Sequence, residues 1–316
     1  MTQVSIIIPF YNAKKHIKKN FESCLKLLEL PIEIIYVNDG SNDNSAEILK
    51  KKIFAPTIIN KKKFFLINMN PNKGPGIARN QALKKCNGKY IIFLDIDDKI
   101  VLKNLKYFID SLNNSTKRID IFFTNYKRTN YPDLDLINLS KVNLSQGVLL
   151  KKFLRRDSID YNPNFYIFNK KFLIQNKIFF SSGFYEDIYF MLRCFYFMKQ
   201  KKKFNKQVYH KFKTIGSITN TLTQKHLVSY MKTSKQKYNF YFNFLNNSKF
   251  KNLNKKDLQY GLRADFVTAI KMSNNTYNKY GTKGIIKFYK KIINKRFTPK
   301  TNYDIKAFKY LNEQNI

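Results

Sequence analysis

The chain carries the stretch Ile91-Ile92-Phe93-Leu94-Asp95-Ile96-Asp97-Asp98, in which an apolar run typical of a buried strand ends in three acids within four residues. Carboxylates so close together repel one another unless a cation lies between them. Oxygen ligands at the end of a strand suit Mg²⁺ or Mn²⁺, ions that commonly accompany phosphate groups. Aspartates are also common in turns and helix caps, so this stretch alone leaves a metal site and an acidic turn as alternatives.

The composition is that of a folded protein with room for one large domain or two smaller ones. The 316 residues are 43% hydrophobic and 16% aromatic, which excludes a disordered polymer. No apolar run reaches the roughly 18 residues of a membrane-spanning helix, and the N-terminus leads directly into a strand without the pattern of a signal peptide. Cys24, Cys86 and Cys194 are odd in number and widely spaced, which fits a reducing compartment. These features predict a cytoplasmic protein.

The chain is strongly basic, with a formal net charge of +38. Such a charge creates a positive field that attracts a polyanion, which could be nucleic acid, an anionic membrane surface or a phosphorylated substrate. The excess is greatest in residues 201–316, which hold 26 Lys and Arg against 4 Asp and Glu. Part of it reflects a Lys- and Asn-rich composition typical of an AT-rich genome.

Strand and helix signals alternate along the first half of the chain, which predicts an α/β fold with a mostly parallel sheet and right-handed crossovers. Ligands bind such sheets at the carboxyl ends of the strands. The predicted strands span residues 4–8, 32–37, 64–67, 90–94 and 119–124. One predicted helix spans residues 14–29 and another spans 77–86. Between them, Ser41, Asn42 and Asp43 can cap a helix that continues through Ile53. Further on, the sequence predicts a helix over 188–198, a strand over 208–210, and basic amphipathic helices over 223–246, 255–273 and 282–294.

Four spaced motifs in the first ~100 residues resemble the family 2 glycosyltransferases, which have the Rossmann-like GT-A fold and use nucleotide-sugar donors. In chain order they are Val4-Ser5-Ile6-Ile7-Ile8-Pro9-Phe10-Tyr11-Asn12, Val37-Asn38-Asp39-Gly40-Ser41-Asn42-Asp43, Asn72-Lys73-Gly74-Pro75-Gly76-Ile77-Ala78-Arg79-Asn80, and Leu94-Asp95-Ile96-Asp97-Asp98. A weaker continuation comprises Phe172 to Phe180, Tyr185-Glu186-Asp187, Tyr209-His210 and Gly216-Ser217-Ile218-Thr219. One position departs from the family: Asn38 stands where an acid is usual, which leaves the preference for a donor base open.

The resemblance implies a donor site. Tyr11 is placed to stack on uracil, with closure of the core edge as the alternative, and Asp39 to accept a hydrogen bond from the base, with a turn before Gly40 as the alternative. Arg79 can reach a phosphate through charge-assisted hydrogen bonds, or else pairs with a nearby acid. Asp98 is expected to orient the transferred sugar. The predicted donor-binding set is Pro9, Tyr11, Asn12, Asp39, Lys73, Arg79, Asp95, Asp97 and Asp98.

The same resemblance implies a metal site and a catalytic base. Asp97 is the principal expected ligand of Mg²⁺ or Mn²⁺, and Asp95 contacts ribose or metal-bound water. His210 is a third candidate ligand, with contact to the diphosphate as an alternative, although a histidine at a strand end is more often structural. Asp187 is the expected general base with Glu186 beside it, and the alternative is that both acids only stabilise a helix N-terminus.

The sequence therefore predicts two regions, a GT-A catalytic domain at 1–220 and a basic helical region at 221–316. The expected activity is inverting, metal-dependent transfer of hexosyltransferase type, from a UDP-sugar to a hydroxyl of a growing bacterial surface glycan such as capsule or lipooligosaccharide. The acceptor is a glycan or a lipid-linked glycan. The basic helices either contact the inner face of the cytoplasmic membrane or present a solvated lysine face. The alternative functions are a nucleic-acid-binding protein, disfavoured by the acidic rim and the lack of a known module, and an inactive glycosyltransferase-like subunit.

Overall fold

The computed structural model describes residues 2–56, 58, 61–113, 117–129, 136–137, 145–155, 160–212 and 223–244, with nine further residues between 257 and 272. The chain divides into two compact units, one of residues 1–144 with 160–215 and one of residues 145–159 with 216–316. Residues 145–159, which the sequence placed with the catalytic region, thus belong to the second unit. The roles predicted for the two regions stay predictions, and the predicted boundary at 220 and the segment Gly216–Thr219 lie outside the described residues.

The first unit is built on one sheet, whose described strands pair in the order β3-β2-β1-β4-β8-β6-β9-β5, with β7 paired to β6. Eight pairings set the strand directions, four of them parallel and four antiparallel. Strands β1, β2, β3, β4, β6 and β9 run the same way, whereas β5, β7 and β8 run against them. The strands are β1 Val4–Phe10, β2 Ile32–Asp39, β3 Phe64–Met69, β4 Tyr90–Phe93, β5 Lys99–Ile100, β6 Ile121–Thr129, β7 Leu136–Ile137, β8 Tyr166–Asn169 and β9 Lys201–Phe212. The expected mostly parallel sheet is confirmed.

Helices connect these strands. In the first unit they are α1 Lys14–Leu25, α2 Ser45–Ile53, α3 Pro75–Lys85, α4 Leu102–Asn113, α6 Lys170–Gln175 and α7 Glu186–Phe197; in the second they are α5 Gln146–Arg155 and α8 Gln224–Phe244. The start predicted for α2 was too early, because the helix begins at Ser45 after Asn44, whose side chain makes no capping bond. Asp43 instead accepts a hydrogen bond from the Ser45 N–H at 3.0 Å.

The centre of the sheet is apolar because every residue of β1, β2 and β4 is buried. This explains why these strands read as continuous β-branched runs rather than as alternating patterns. Pro9 is tolerated in β1 because the pairing with β4 ends at Ile7 and Phe93. The Leu94 N–H donates to the Ile7 carbonyl at 2.9 Å, so residue 7 faces β4. Residues two apart in a strand face the same neighbour, so position 9 also faces the side on which β4 has already ended.

Helix α8 packs in the second unit through a stripe of buried side chains along one face. Buried positions at helical spacing include Leu227, Tyr230, Tyr238 and Tyr241. Buried Asp265 accepts hydrogen bonds from the hydroxyls of Tyr230 at 3.0 Å and Tyr238 at 3.1 Å, and also pairs with Lys237.

Three basic helices were predicted in the C-terminal region, and the described residues test two of them. The helix predicted over 223–246 is present as α8, and all described positions between 257 and 272 are helical. The helix predicted over 282–294 lies outside the described residues. None of the helices seen in the described residues combines the length and the apolar character needed to cross a membrane.

Candidate active site

The loops that follow β1 and β2 are joined by hydrogen bonds at the carboxyl edge of the sheet. The Asn12 N–H donates to Ser41 Oγ at 3.0 Å, and the Asn42 N–H donates to Asn12 Oδ1 at 2.9 Å. Asn12 adopts a left-handed conformation with φ of +48°, which Asn tolerates better than most residues. The adjacent Tyr11 is 47% exposed, so its ring is presented to solvent on an anchored loop, as stacking on a nucleobase requires.

Asp39 ends β2 and holds the loop before α3. Its two carboxylate oxygens accept hydrogen bonds from the N–H groups of Lys73 at 2.8 Å and Gly74 at 2.7 Å. Burial raises the pKa of Asp39, and the two N–H groups oppose that rise because they stabilise the charged form. Gly74 has a φ of +88°, a conformation that glycine adopts without steric cost. The structure therefore shows Asp39 orienting the Lys73 loop, and its contact with a base stays a prediction.

Asn38, the position that departs from the family, uses both ends of its amide. Its Oδ1 accepts from the Ser41 N–H at 2.9 Å, and its Nδ2 donates to Oδ1 of Asn68 on β3 at 3.2 Å. An acid at this position could accept but could not donate to Asn68. The substitution is thus matched by a partner on the neighbouring strand, at the paired position in the register.

Arg79 links two groups of acids across the site. One terminal nitrogen lies 2.9 Å from Asp95 Oδ1, after β4, and the other lies 2.9 Å from Glu186 Oε1, at the start of α7. Burial lowers the pKa of Arg79, but the two carboxylates outweigh that effect and raise it. The structure shows the ion pair that was the alternative to a phosphate contact. Arg79 thereby joins the acidic turn to the acids of α7.

Two neighbours of Arg79 bring α3 against the segment before α7. Asn80 donates from Nδ2 to the Phe180 carbonyl at 2.9 Å and accepts from the Phe180 N–H at 2.9 Å. A Cβ at Gly76 would lie 2.5 Å from Glu186 Cγ and 2.9 Å from Phe180 Cβ. The glycine is therefore needed for close approach of the helix, a role that was not assigned to either residue from the sequence.

Replacing Gly76 with Ala should lower the free energy of unfolding by about 1–3 kcal/mol, because the new methyl group overpacks a tight contact. Urea unfolding measures the change, and Lys84→Ala, at an exposed position of the same helix, is the control. An unchanged unfolding midpoint for Gly76→Ala would show that the contact between α3 and Glu186 is loose.

The three acids after β4 have different surroundings. Burial raises the pKa of Asp95, but Arg79 and Lys211, whose Nζ lies 3.9 Å from Oδ2, outweigh it and hold that pKa below its usual value. Asp97 is half-buried. Asp98 is 2% exposed and accepts from the Tyr209 hydroxyl at 2.5 Å and the Phe212 N–H at 2.8 Å. Burial, with the negative charge of Asp95, raises the pKa of Asp98 to about 8. Asp98 is thus bound to β9, and its contact with a sugar stays a prediction.

The predicted metal ligands do not form a closed cluster. Within the described part of the chain, no three His, Cys, Asp or Glu side chains are placed to hold an ion. His210 Nε2 lies 2.7 Å from Thr129 Oγ1, and its ring stacks on Phe212 at 4.2 Å. Burial and nearby Lys127 and Lys99 lower its pKa. Because Mg²⁺ is usually held by one or two carboxylates together with substrate phosphates and waters, the oxygen donors of Asp95 and Asp97 fit an ion that arrives with a nucleotide.

Glu186 and Asp187 lie in the first turn of α7. This is the position expected of acids that stabilise a helix N-terminus, which was the alternative to a catalytic role. Asp187 Oδ1 accepts from the Ile188 N–H at 2.9 Å, and Tyr185 precedes the helix with a φ of +62°. Burial and the negative charge of Glu186 raise the pKa of Asp187 to about 7. Burial also raises the pKa of Glu186, although Arg79 opposes the rise. A carboxylate with a pKa near neutrality is suited to general base catalysis.

Residues 5–200 match the protein family described as glycosyl transferase family 2. The chain belongs to this family. Solved structures share its fold: the crystal structure of Staphylococcus aureus TarS 1-349 in complex with UDP-GlcNAc superposes with a TM-score of 0.61 at 19% identity, covering 87% of this chain and 84% of the 1-349 fragment. The mannosyltransferase PcManGT from Pyrobaculum calidifontis, in complex with GDP-Man and Mn²⁺, gives a TM-score of 0.50 at 12% identity, covering 85% and 75% of the two chains.

A curated relative of this family 2 protein is the Escherichia coli UDP-Glc:alpha-D-GlcNAc-diphosphoundecaprenol beta-1,3-glucosyltransferase WfaP. It is 36% identical over 126 residues, which are 40% of this chain and 47% of WfaP. The chain spans less than half the length of the first curated relatives it matches, from 13% to 47%.

The structure of the family 2 protein brings together most of the predicted residues at one edge of the sheet in the first unit. Arg79 connects Asp95 with Glu186, and Asp39 is bonded to the loop that precedes Arg79. Lys73 is exposed beside this loop, whereas His210 is bonded to Thr129 and is not clustered with the acids. Two further residues at this site were not predicted: Lys211, which pairs with Asp95, and Asn164, whose Nδ2 donates to the Tyr209 hydroxyl at 3.0 Å.

Proposed function

We propose that the chain is an inverting, metal-dependent glycosyltransferase that moves a sugar from a UDP-sugar to a hydroxyl of a bacterial surface glycan. The observation that carries this proposal is the bridge made by Arg79, at 2.9 Å on each side, between the acid after β4 and the acids of α7. A donor-binding acid and a candidate base are thereby held at one site. Membership of family 2 supports the reaction class.

The donor end of the site offers an exposed ring and cations. Tyr11 is 47% exposed for stacking on the base, and Lys73 and Lys211 supply positive charge for the diphosphate. The names of two related proteins favour a UDP-sugar, since WfaP is named for UDP-Glc and TarS was crystallised with UDP-GlcNAc. Mg²⁺ or Mn²⁺ held by Asp97 with Asp95 would neutralise charge on the departing nucleoside diphosphate, and the Mn²⁺ bound by PcManGT supports such an ion.

The base end of the site performs the proton transfer. Asp187 takes the proton of the acceptor hydroxyl while that oxygen forms a bond to the anomeric carbon. The bond from the anomeric carbon to the diphosphate breaks on the opposite face, and the nucleoside diphosphate departs with the electron pair. Glu186, held by Arg79, fixes the start of α7 and with it the position of Asp187. Attack opposite the leaving group inverts the configuration at the anomeric carbon.

The acceptor we propose is a lipid-linked glycan. WfaP, as its name states, acts on a sugar carried by diphosphoundecaprenol, and the net charge of +38 favours an anionic carrier or surface. This would place the enzyme at the cytoplasmic face of the membrane. An inactive subunit is disfavoured because Asp95, Asp97 and Asp187 are all present, and the predicted nucleic-acid function gains no support from the acidic rim.

The reaction is tested by measuring release of UDP from a panel of UDP-sugars with Mn²⁺ and then with a chelator. Water serves as the acceptor, so the natural acceptor is not needed. We expect one donor to be hydrolysed, and the same donor to stabilise the protein in a thermal-shift screen by mass action. Absence of both hydrolysis and stabilisation for every nucleotide sugar would refute the proposal.

The rate of UDP release should rise as the pH is raised through about 7. Asp187 accepts a proton only in its ionised form, and burial with Glu186 raises its pKa to about 7, so the active fraction is small below that pH and saturates above it. The rate at saturating donor is measured across pH, and UDP binding at each pH is the control. A rate that stays constant from about pH 5 to 9 would show that no such base is used.

A further inference from the structure

We propose that Tyr209 is a positioning residue that fixes the turn of residues 95–98 for binding of the metal–diphosphate group. The inference rests on the proposed function and deepens it. Tyr209 lies on β9, 111 positions after Asp98. Its side chain is fully buried, so it acts through the turn and does not touch substrate.

The Tyr209 hydroxyl makes three hydrogen bonds at this turn. It donates to Asp98 Oδ2 at 2.5 Å, accepts from the Asp95 N–H at 3.3 Å, and accepts from Asn164 Nδ2 at 3.0 Å. A phenol has one donor and can accept through its lone pairs. One buried hydroxyl thus contacts the first and last residues of the turn at the same time.

The position of this hydroxyl is itself fixed by packing. The ring of Tyr209 packs edge-on against Phe165 with centroids 5.4 Å apart. Asn164 is 3% exposed and lies in the short 3-10 turn Pro163–Phe165, where its N–H donates to Asn162 Oδ1 at 3.0 Å. The ring of Tyr209 and the backbone of Asn164 are thus both anchored. The turn of residues 95–98 is therefore held against β9 and against the segment before β8.

Asp97 lies between the two anchored residues, so the hydrogen bonds of Tyr209 restrict the position of its backbone. The Asp98 N–H also donates to the Asp95 carbonyl at 3.1 Å, so the turn is closed on itself. We expect Asp97 to supply carboxylate oxygens to a divalent ion, together with Asp95, which also pairs with Arg79 and Lys211. Groups that orient metal ligands commonly change metal affinity by about 10–100-fold when they are removed. Loss of the Tyr209 hydroxyl should therefore weaken ion binding more than it lowers the rate with the ion saturating.

The test is Tyr209→Phe, which removes the hydroxyl and keeps the ring. Calorimetric titration of UDP at a series of Mn²⁺ concentrations gives the Mn²⁺ concentration for half-maximal binding, and we expect it to rise about 10–100-fold. Tyr36→Phe is the matched control, since Tyr36 is also fully buried and its hydroxyl bonds Asn20 Oδ1 at 2.9 Å, away from the turn. The control should bind Mn²⁺ and UDP as the unaltered protein does.

Asn164→Ala is the second variant, because it removes one of the same three hydrogen bonds if Tyr209→Phe does not fold. It should raise the half-maximal Mn²⁺ concentration in the same direction by a smaller factor. Unchanged Mn²⁺ dependence in a folded Tyr209→Phe or Asn164→Ala protein would overturn the positioning role and leave the proposed function standing. If the unaltered protein binds no UDP at any Mn²⁺ concentration, the proposed function falls and this role falls with it.

Discussion

Replacing Asp187 with Asn should slow UDP release by about 10²–10⁴-fold, the usual contribution of a positioned general base. Asn has the same shape and can still accept the hydrogen bond that Asp187 receives from the Ile188 N–H at 2.9 Å. It cannot take a proton, so the step lost is the transfer and not the start of α7. The rate at saturating donor and Mn²⁺ measures the effect, and the Kd for UDP should change by less than about threefold.

The control for this variant is Asp110→Asn, at an exposed position on α4 of the same unit. It makes the same change of charge outside the site and should keep the rate of the unaltered protein. If Asp187→Asn is as active as this control, Asp187 is not the base. A loss of UDP affinity in step with the rate would instead assign Asp187 to donor binding.

Replacing Asp97 with Asn should lower the rate of UDP release by about 10²–10³-fold, because a metal ion contributes several kcal/mol of charge stabilisation to such a transition state. The amide is a weaker ligand for a hard cation and carries no charge. Unlike Asp187→Asn, this variant should also lose the dependence of UDP binding on Mn²⁺. The two variants together separate donor and metal binding from proton transfer.

Asp110→Asn serves again as the charge-matched control, and circular dichroism establishes that each variant is folded. Retained stimulation of UDP binding by Mn²⁺ in Asp97→Asn would assign the ion to other residues. An equal rate with and without a chelator in the unaltered protein would remove the metal from the mechanism.

The central strands could be predicted from the sequence because their pattern is local. Val4 to Ile8 and Tyr90 to Phe93 are mostly apolar runs that end near a breaker or acids, and both lie in buried strands. The helix α4 was missed, although Leu105, Phe108, Ile109 and Leu112 follow the helical period and are all buried. The helical period is therefore visible in the sequence of α4 itself.

Strands β8 and β9 could not be predicted in the same way. Strand β8 enters between β4 and β6, and its pairing with β4 joins Ile91 to Phe168 across a long stretch of sequence. Strand β9 reads Lys-Lys-Lys-Phe-Asn-Lys at its start and has few buried residues, so only its end at 208–210 was expected. Pairing partners far apart in the chain leave no periodic trace in a single sequence.

In the candidate site, the positions of the loops could be predicted from local motifs, whereas the partners of the side chains could not. The motifs correctly indicated which loops meet at the carboxyl edge of the sheet, because parallel strands end on one side. They could not show that Arg79 pairs with Glu186, 107 positions later, nor that the Asp98 carboxyl group faces β9 while its neighbour Asp97 is only half-buried. Side-chain direction in a turn depends on partners such as Tyr209 that arrive from elsewhere in the fold.

Metal-dependent binding of UDP at this site is tested most directly by calorimetric titration of UDP into the unaltered protein, with Mn²⁺ and then with a chelator in its place. We expect saturable binding at a single site with Mn²⁺, and a loss of affinity of at least about tenfold when the ion is removed. Binding that is equally tight in the chelator, or no binding of UDP in either solution, would contradict this expectation.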